Sequence, residues 1–177
     1  VREEVPSAMA ECHLAGIRVV MITGDYPDTV RVIAAQAGMP QGDVLTGDEV
    51  QALDDATLQR RIQTVNVCAR ISPHQKLRIV QALQRNGEIV TMTGDGVNDA
   101  PALAMADVGM AMSTGTDVAM QAAGITLMRG DPSLVADAID ISKRTWKKIQ
   151  QNLFWAFAFN ATGIPLAALG YLSPMLA

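Results

Sequence analysis

Short runs rich in β-branched residues alternate along this chain with helix-patterned stretches, and that alternation limits the fold more than any other feature. Ile17-Arg18-Val19-Val20-Met21-Ile22 reads as a strand, as do residues 65–69, 88–92, 108–112 and 125–128. Between them, residues 6–15 read as a helix stopped at Gly16, and residues 27–37 as a second ending at Gly38. Ser72-Pro73-His74-Gln75 opens a third, with Ser as N-cap, Pro at the first helical position and Gln completing a capping box; it ends at Gly87. Shorter helices fit residues 100–106 and 117–123. Residues 39–64 are polar, with helical pieces after Asp48 and Asp54. Strands alternating with helices predict an α/β fold, a parallel sheet covered by helices on both faces.

A chain of 177 residues holds one domain of roughly 100–200 residues and a short appendage. With 49% hydrophobic and 18% charged residues, it is neither a disordered segment nor a coiled coil. The net charge of -4 argues against a basic surface for nucleic acid, so no nucleic-acid partner is expected. Lys143, Arg144, Lys147 and Lys148 nevertheless form a basic collar, and no charged residue follows Lys148. Residues 133–149 place Val135, Ala138, Ile139, Ser142, Trp146 and Ile149 on one helical face. Beyond them lies Leu153-Phe154-Trp155-Ala156-Phe157-Ala158-Phe159. Since about 20 apolar residues cross a bilayer, residues 150–169 are expected to form one transmembrane helix, softly broken by Gly163 and Pro165. The collar obeys the positive-inside tendency, which puts residues 1–148 in the cytoplasm and makes membrane lipid a partner. The chain begins without Met and stops in an apolar stretch, so it reads as a fragment. Cys12, Cys68, His13 and His74 lack metal-ligand or disulfide spacing and read as structural.

In open parallel sheets, ligands bind beyond the carboxyl ends of the strands. Two such ends carry the same turn: Thr23-Gly24-Asp25 after the first strand, and Thr93-Gly94-Asp95-Gly96-Val97-Asn98-Asp99 after the third. Glycine lets a backbone approach a ligand closely, and free N–H groups with a hydroxyl suit phosphate oxygens. Asp95, Asn98 and Asp99 supply oxygens for a hard cation such as Mg²⁺, which shares its coordination with phosphate and water. Lys76, in the first turn of its helix, would be favoured there by a bound anion. Thr46-Gly47-Asp48 follows no convincing strand and reads as a plain turn with an Asp cap. Phosphate-loop, dinucleotide and EF-hand patterns all fail to match.

Residues 93–103, reading TGDGVNDAPAL, with Met21-Ile22-Thr23-Gly24-Asp25 and Ser72-Pro73-His74-Gln75-Lys76, resemble the haloacid-dehalogenase-like phosphorylation domain of P-type cation-transporting ATPases. The resemblance covers essentially the whole chain. It implies a partial Rossmannoid parallel sheet at 1–131, a stalk helix at 132–149, the transmembrane helix at 150–169, and at 170–177 a loop and the start of a further transmembrane helix at Pro174. It also implies that Thr23, Gly24 and Asp25 form the second phosphate motif, with Thr23 and Gly24 contacting the phosphoryl group. Lys76 would neutralise that group, Asp95 would bind Mg²⁺, and Asn98 and Asp99 would complete the site. ATP would be the phosphoryl donor. The family's nucleophile is the Asp of an Asp-Lys-Thr-Gly-Thr motif, which this sequence lacks. It is expected upstream of Val1, with the nucleotide-binding domain. The remaining domains and membrane helices of a multi-pass pump are then partners, and this chain alone is expected to be inactive.

Residues 3–38 and 65–83 resemble calcium-type pumps, whereas Gly115-Thr116-Asp117-Val118-Ala119, Leu127-Met128-Arg129-Gly130-Asp131 and Gln151-Asn152-Leu153-Phe154-Trp155-Ala156-Phe157 resemble the copper-type branch. That branch carries a Tyr-Asn pair at its membrane metal site, where this chain has Phe159-Asn160. Asn160 is the candidate contact for the transported metal cation. A copper-like soft cation is favoured over calcium because no carboxylate follows Lys148. Two other readings are a soluble phosphohydrolase of the same fold and a noncatalytic, membrane-tethered phosphate-binding regulator. The collar and apolar tail oppose the former, and the missing nucleophile keeps the latter open.

Overall fold

The computed structural model describes residues 1–129, 131 and 133–170. In chain order the elements are α1 (Val5–Leu14), β1 (Met21–Ile22), α2 (Pro27–Gln36), β2 (Val44–Thr46), α3 (Gly47–Ala52), α4 (Asp55–Arg61), β3 (Val67–Ala69), α5 (Pro73–Arg85), β4 (Thr91–Gly94), a 3₁₀ turn (Val97–Asp99), α6 (Ala100–Met105), β5 (Val108–Met112), α7 (Asp117–Ala122), β6 (Ile125–Leu127) and α8 (Ser133–Ala168). The expected alternation is present, and every strand pairing is parallel.

The strands form two three-stranded sheets, β1-β3-β2 and β4-β5-β6, where the sequence pattern predicts one. Among the described residues β1 and β4 are each hydrogen-bonded to a strand on one side only, so no ladder joins the two sheets. β1 is also shorter than the run 17–22. Pairing with β3 begins at Met21↔Val67, while the Arg18 guanidinium donates to the carbonyls of Ile62 and Val65 and to the Asn66 side chain. β2 was not expected at all, and Leu45, its central residue, is completely buried opposite Cys68. Thr46 therefore does follow a strand. Its hydroxyl accepts from the Glu49 N–H and caps α3, which leaves the Thr46-Gly47-Asp48 turn a structural role.

Side-chain alternation on β3 separates two cores. Cys68 joins Leu45, Val50, Leu58, Ile62 and Ile79, from β2 and helices α3, α4 and α5, while Val67 and Ala69 join Val30, Ala34 and Met39 around α2. A third core packs Met92 and Ala111 against Leu103, Ala119 and Val80. α5 therefore enters two cores, through Ile79, Ala82 and Leu83 on one side and Val80 on the other. Its start follows the sequence signal: the Gln75 side chain accepts from the Ser72 N–H at 2.9 Å and donates to the Gly47 carbonyl at 2.8 Å. Burial pushes the Cys68 thiol up to about 12, consistent with a structural cysteine.

Residues from Val1 to Ala136 form one compact unit, and a second begins at Asp137. The predicted stalk and membrane helices are one continuous helix, α8, with Pro165 inside it and no buried residue. Ile149, Leu153, Phe154, Trp155, Phe157, Phe159 and Leu166 are exposed. Asn160, Thr162 and Gly163 interrupt the apolar run, and among the described residues no helix is long and apolar enough to cross a membrane. Gly130 and the segment beyond Gly170, with the further helix expected at Pro174, lie outside the described residues.

Asp107 fixes the entry to β4, its carboxylate accepting from the Val90 N–H at 2.8 Å and the Gln84 side chain at 3.3 Å. The Val90 N–H, and then Gln84, hold this carboxyl below its ordinary value of 3.8. A carboxyl depressed in the folded state stabilises the fold above its unfolded pKa and loses that contribution as pH falls through the folded value. In urea denaturation, the stability advantage of wild type over Asp107→Asn is expected at neutral pH and should shrink as pH falls below 3.8.

Candidate functional site

The carboxyl ends of β1, β3 and β4 supply the candidate residues. Thr23 continues from β1, its N–H donating to the Cys68 carbonyl and its own carbonyl accepting from the Ile71 N–H. The chain turns there because the Thr23 Oγ1 accepts from the Asp25 N–H at 3.2 Å. That bond uses an acceptor lone pair, so the Thr23 hydroxyl proton stays available to an incoming oxygen. The Asp25 carbonyl is held by the Arg70 N–H at 2.9 Å, and the Gly24 backbone and the Asp25 side chain face solvent.

Arg70 was not singled out by the sequence, yet it adjoins this turn. It is the one non-glycine residue with positive φ among those described, at 54°, and its guanidinium lies 4.9 Å from the centre of the Tyr26 ring. The left-handed conformation is commonest for Gly, Asn and Asp, so no local signal marked an Arg there. Its stacking on Tyr26 keeps a permanent positive charge beside the Thr23-Gly24-Asp25 turn.

The second turn is closed by Asp99. Its Oδ1 accepts from the Lys76 Nζ at 2.6 Å and its Oδ2 from the Gly96 N–H at 3.3 Å, with both ionic side chains largely withdrawn from solvent. Gly94 makes this fold-back possible, since a Cβ there would stand 2.6 Å from the Asp99 Cβ. The sequence placed Lys76 and Asp99 in one site, and the structure joins them directly across the two sheets. Both Asp99 oxygens are thereby engaged. The Asp95 carboxylate and the Asn98 side chain are exposed and receive no hydrogen bond or ion pair from the described residues.

This donor set can be tested against a divalent cation. Among the described residues no group of three or more His, Cys, Asp and Glu side chains could hold a metal. Mg²⁺ does not need one, because it is commonly held by one or two carboxylates together with phosphate and water. A free Asp95 carboxylate, in the same turn as the exposed Asn98 and with no side chain at Gly94 or Gly96, fits that pattern. Asp99 fits better as the anchor of Lys76 than as a first ligand. Asn160 lies on α8, exposed, in the other compact unit.

A model of haloacid dehalogenase-like hydrolases matches residues 1–107. A copper-exporting P-type ATPase of Bacillus subtilis is 42% identical over all 177 residues, and one from Staphylococcus aureus is 43% identical over 176. The chain spans 19% of the length of these relatives. Among solved structures, a zinc-transporting PIB-type ATPase in its E2.Pi state superposes with a TM-score of 0.76 at 26% identity, covering 98% of this chain and 24% of that one. The catalytic domain of the CPx-ATPase CopB-B gives a TM-score of 0.59 at 27% identity, covering 78% of this chain and 45% of the other.

Removing Lys76 would leave a largely buried carboxylate without its cation. Lys76→Met is expected to lower unfolding stability by about 3 kcal/mol, and the paired substitution Lys76→Met with Asp99→Leu should recover most of the loss. A chemical-denaturation cycle on the four proteins measures this. Additive losses would mean the two residues are not coupled.

Proposed function

This chain belongs to the haloacid-dehalogenase-like hydrolases, with P-type ATPases as its relatives, and from that premise we propose that it is the phosphoryl-binding portion of a cation-translocating pump. The observation that carries the reading is the joining of Lys76, from the β3–α5 connection, to Asp99 of the Gly-Asp-Gly-Val-Asn-Asp turn at 2.6 Å. It ties the proposed phosphate-binding lysine to the turn that carries the proposed cation ligands, which supports the reading.

In this reading a carboxylate supplied by another segment attacks the γ-phosphorus of ATP. The bond to the β-phosphate bridging oxygen breaks, ADP leaves, and an aspartyl-phosphate is formed; water later releases the phosphate. β1 and β4 both end in the proposed site turns and, among the described residues, both have an unpaired edge, which suits a strand carrying that nucleophile between them. The Thr23 hydroxyl and the Gly24 N–H orient the phosphoryl oxygens by donating to them. Lys76, held by Asp99, offsets their growing charge in a site that pays little reorganisation energy when reaction occurs. Mg²⁺, held through Asp95 with Asn98 nearby, supplies further charge neutralisation when bound. The chain without the nucleophile then binds but does not react.

The exposed apolar surface of α8 from Leu153 to Leu166 needs cover from lipid or from other helices of the same pump. The basic collar assigns residues 1–148 to the cytoplasmic side. Insertion of residues 150–169 into the bilayer requires neighbouring helices to satisfy Asn160, and that residue is the proposed contact on the ion pathway. A copper-like cation is the favoured cargo. The copper-exporting relatives align with both halves of this chain, including the half whose motifs resemble calcium-type pumps. Soft monovalent metal also suits a tail without carboxylates.

In the complete pump, Asp95→Asn should abolish most Mg²⁺-dependent, acid-stable phosphoenzyme formed from labelled ATP while nucleotide binding persists. Wild-type labelling in that variant would reduce Asp95 to a turn residue. ATPase activity in membranes should be stimulated by Cu⁺ under reducing conditions. Stimulation by Ca²⁺ alone would overturn the copper assignment, and stimulation by Zn²⁺ alone would move the cargo to that ion.

A further inference from the structure

Asp95 is held from behind by a turn that the sequence reading left without a role in the site. After β5, the Thr116 N–H donates to the Asp95 carbonyl at 2.8 Å, and the Gly115 N–H to the Met112 carbonyl at 2.8 Å. Gly115 lies so close that an added Cβ would stand 2.6 Å from the Asp95 carbonyl oxygen, 2.8 Å from its Cα and 3.0 Å from its Cβ. The first two are main-chain atoms, which cannot rotate away. Thr116 is itself fixed, because its Oγ1 accepts from the Ala119 N–H and caps α7. The backbone of the proposed Mg²⁺ ligand is therefore clamped between its own strand and the cap of another helix.

We propose that Gly115 and the Thr116 main chain are positioning residues for the Asp95 carboxylate. They set the direction in which it leaves β4 and hence its fit to a divalent cation. The inference rests on the assignment of Mg²⁺ to Asp95. A ligand side chain keeps its aim only if its own backbone cannot shift, and groups supporting a metal ligand typically change affinity by about 10–100-fold when altered. Gly115 touches neither cation nor phosphate, so its effect is on affinity through Asp95. Gly109, on β5, offers an internal control. A Cβ there would stand 2.5 Å from the Leu103 carbonyl oxygen, a clash as severe but made with α6 instead of Asp95.

The test is a Mg²⁺ titration of the whole 177-residue chain in detergent micelles, followed by the amide resonances of Asp95 and Asn98, with thermal unfolding measured in parallel. Gly115→Ala should weaken the Mg²⁺ response at Asp95 by about 10-fold or more. Gly109→Ala should lower thermal stability to a comparable degree and leave the Mg²⁺ response unchanged. If Gly115→Ala does not fold, Thr116→Pro, which removes both the N–H donated to Asp95 and the Oγ1 cap of α7 at a residue with a φ of -82° that proline accepts, should give the same loss, and Thr116→Val, which removes the cap alone, should not. A wild-type chain with no Mg²⁺ response at Asp95 overturns the Mg²⁺ assignment and the inference with it. A wild-type response retained in folded Gly115→Ala or Thr116→Pro, or equally lost in Gly109→Ala, overturns the positioning role alone.

Discussion

The ion pair between Lys76 and Asp99 is the joint on which the site depends. The two sheets are not hydrogen-bonded to one another among the described residues, so their alignment rests on what spans them. α5 does so twice: its apolar residues enter the cores of both sheets, and its first turn delivers Lys76 to a carboxylate at the end of β4. Burying these charges is costly, and such a pair adds little stability compared with apolar residues. Its retention makes physical sense if the pair keeps a cation poised where a phosphoryl group is to be bound. Asp99 then prevents that cation from turning to solvent.

The same economy governs the metal side. Asp95 is left free because Asp99, four residues on, has taken both Lys76 and the Gly96 N–H. One turn thus divides its carboxylates between an internal anchor and an outward group left free for the proposed cation. The division depends on glycine at 94, where the backbone must let Asp99 fold back.

Much of this was legible in the sequence. The capping signal at Ser72-Pro73-His74-Gln75, the glycine stops and the β-branched runs placed α2, α5, β3, β5 and β6 within a few residues of where they lie. Thr23, Gly24, Lys76, Asp95 and Asp99 were marked by motif and by position after a strand. The rest depends on long-range contact. β2 was missed because Val44-Leu45-Thr46 is too short to carry a period of its own and is a strand only through pairing with β3. The separation into two sheets follows from hydrogen-bond partners, which composition does not encode. Arg70 has a conformation atypical of its residue type, and Gly115 reads as an ordinary turn glycine until Asp95 is placed against it. For residues 150–169 the sequence predicted a helix, which exists, but its apolarity is broken by Asn160, Thr162, Gly163 and Pro165.

In the proposed function, turns from both sheets bind one phosphoryl group. The most direct measurement is a high-resolution structure of the complete pump trapped with Mg²⁺ and a phosphoryl analogue such as aluminium fluoride. The Thr23 hydroxyl, the Gly24 N–H and the Lys76 ammonium are expected within hydrogen-bonding distance of a single analogue, with Asp95 on the adjoining cation. An analogue bound by one sheet's turn while Lys76 remains paired only to Asp99 would contradict it.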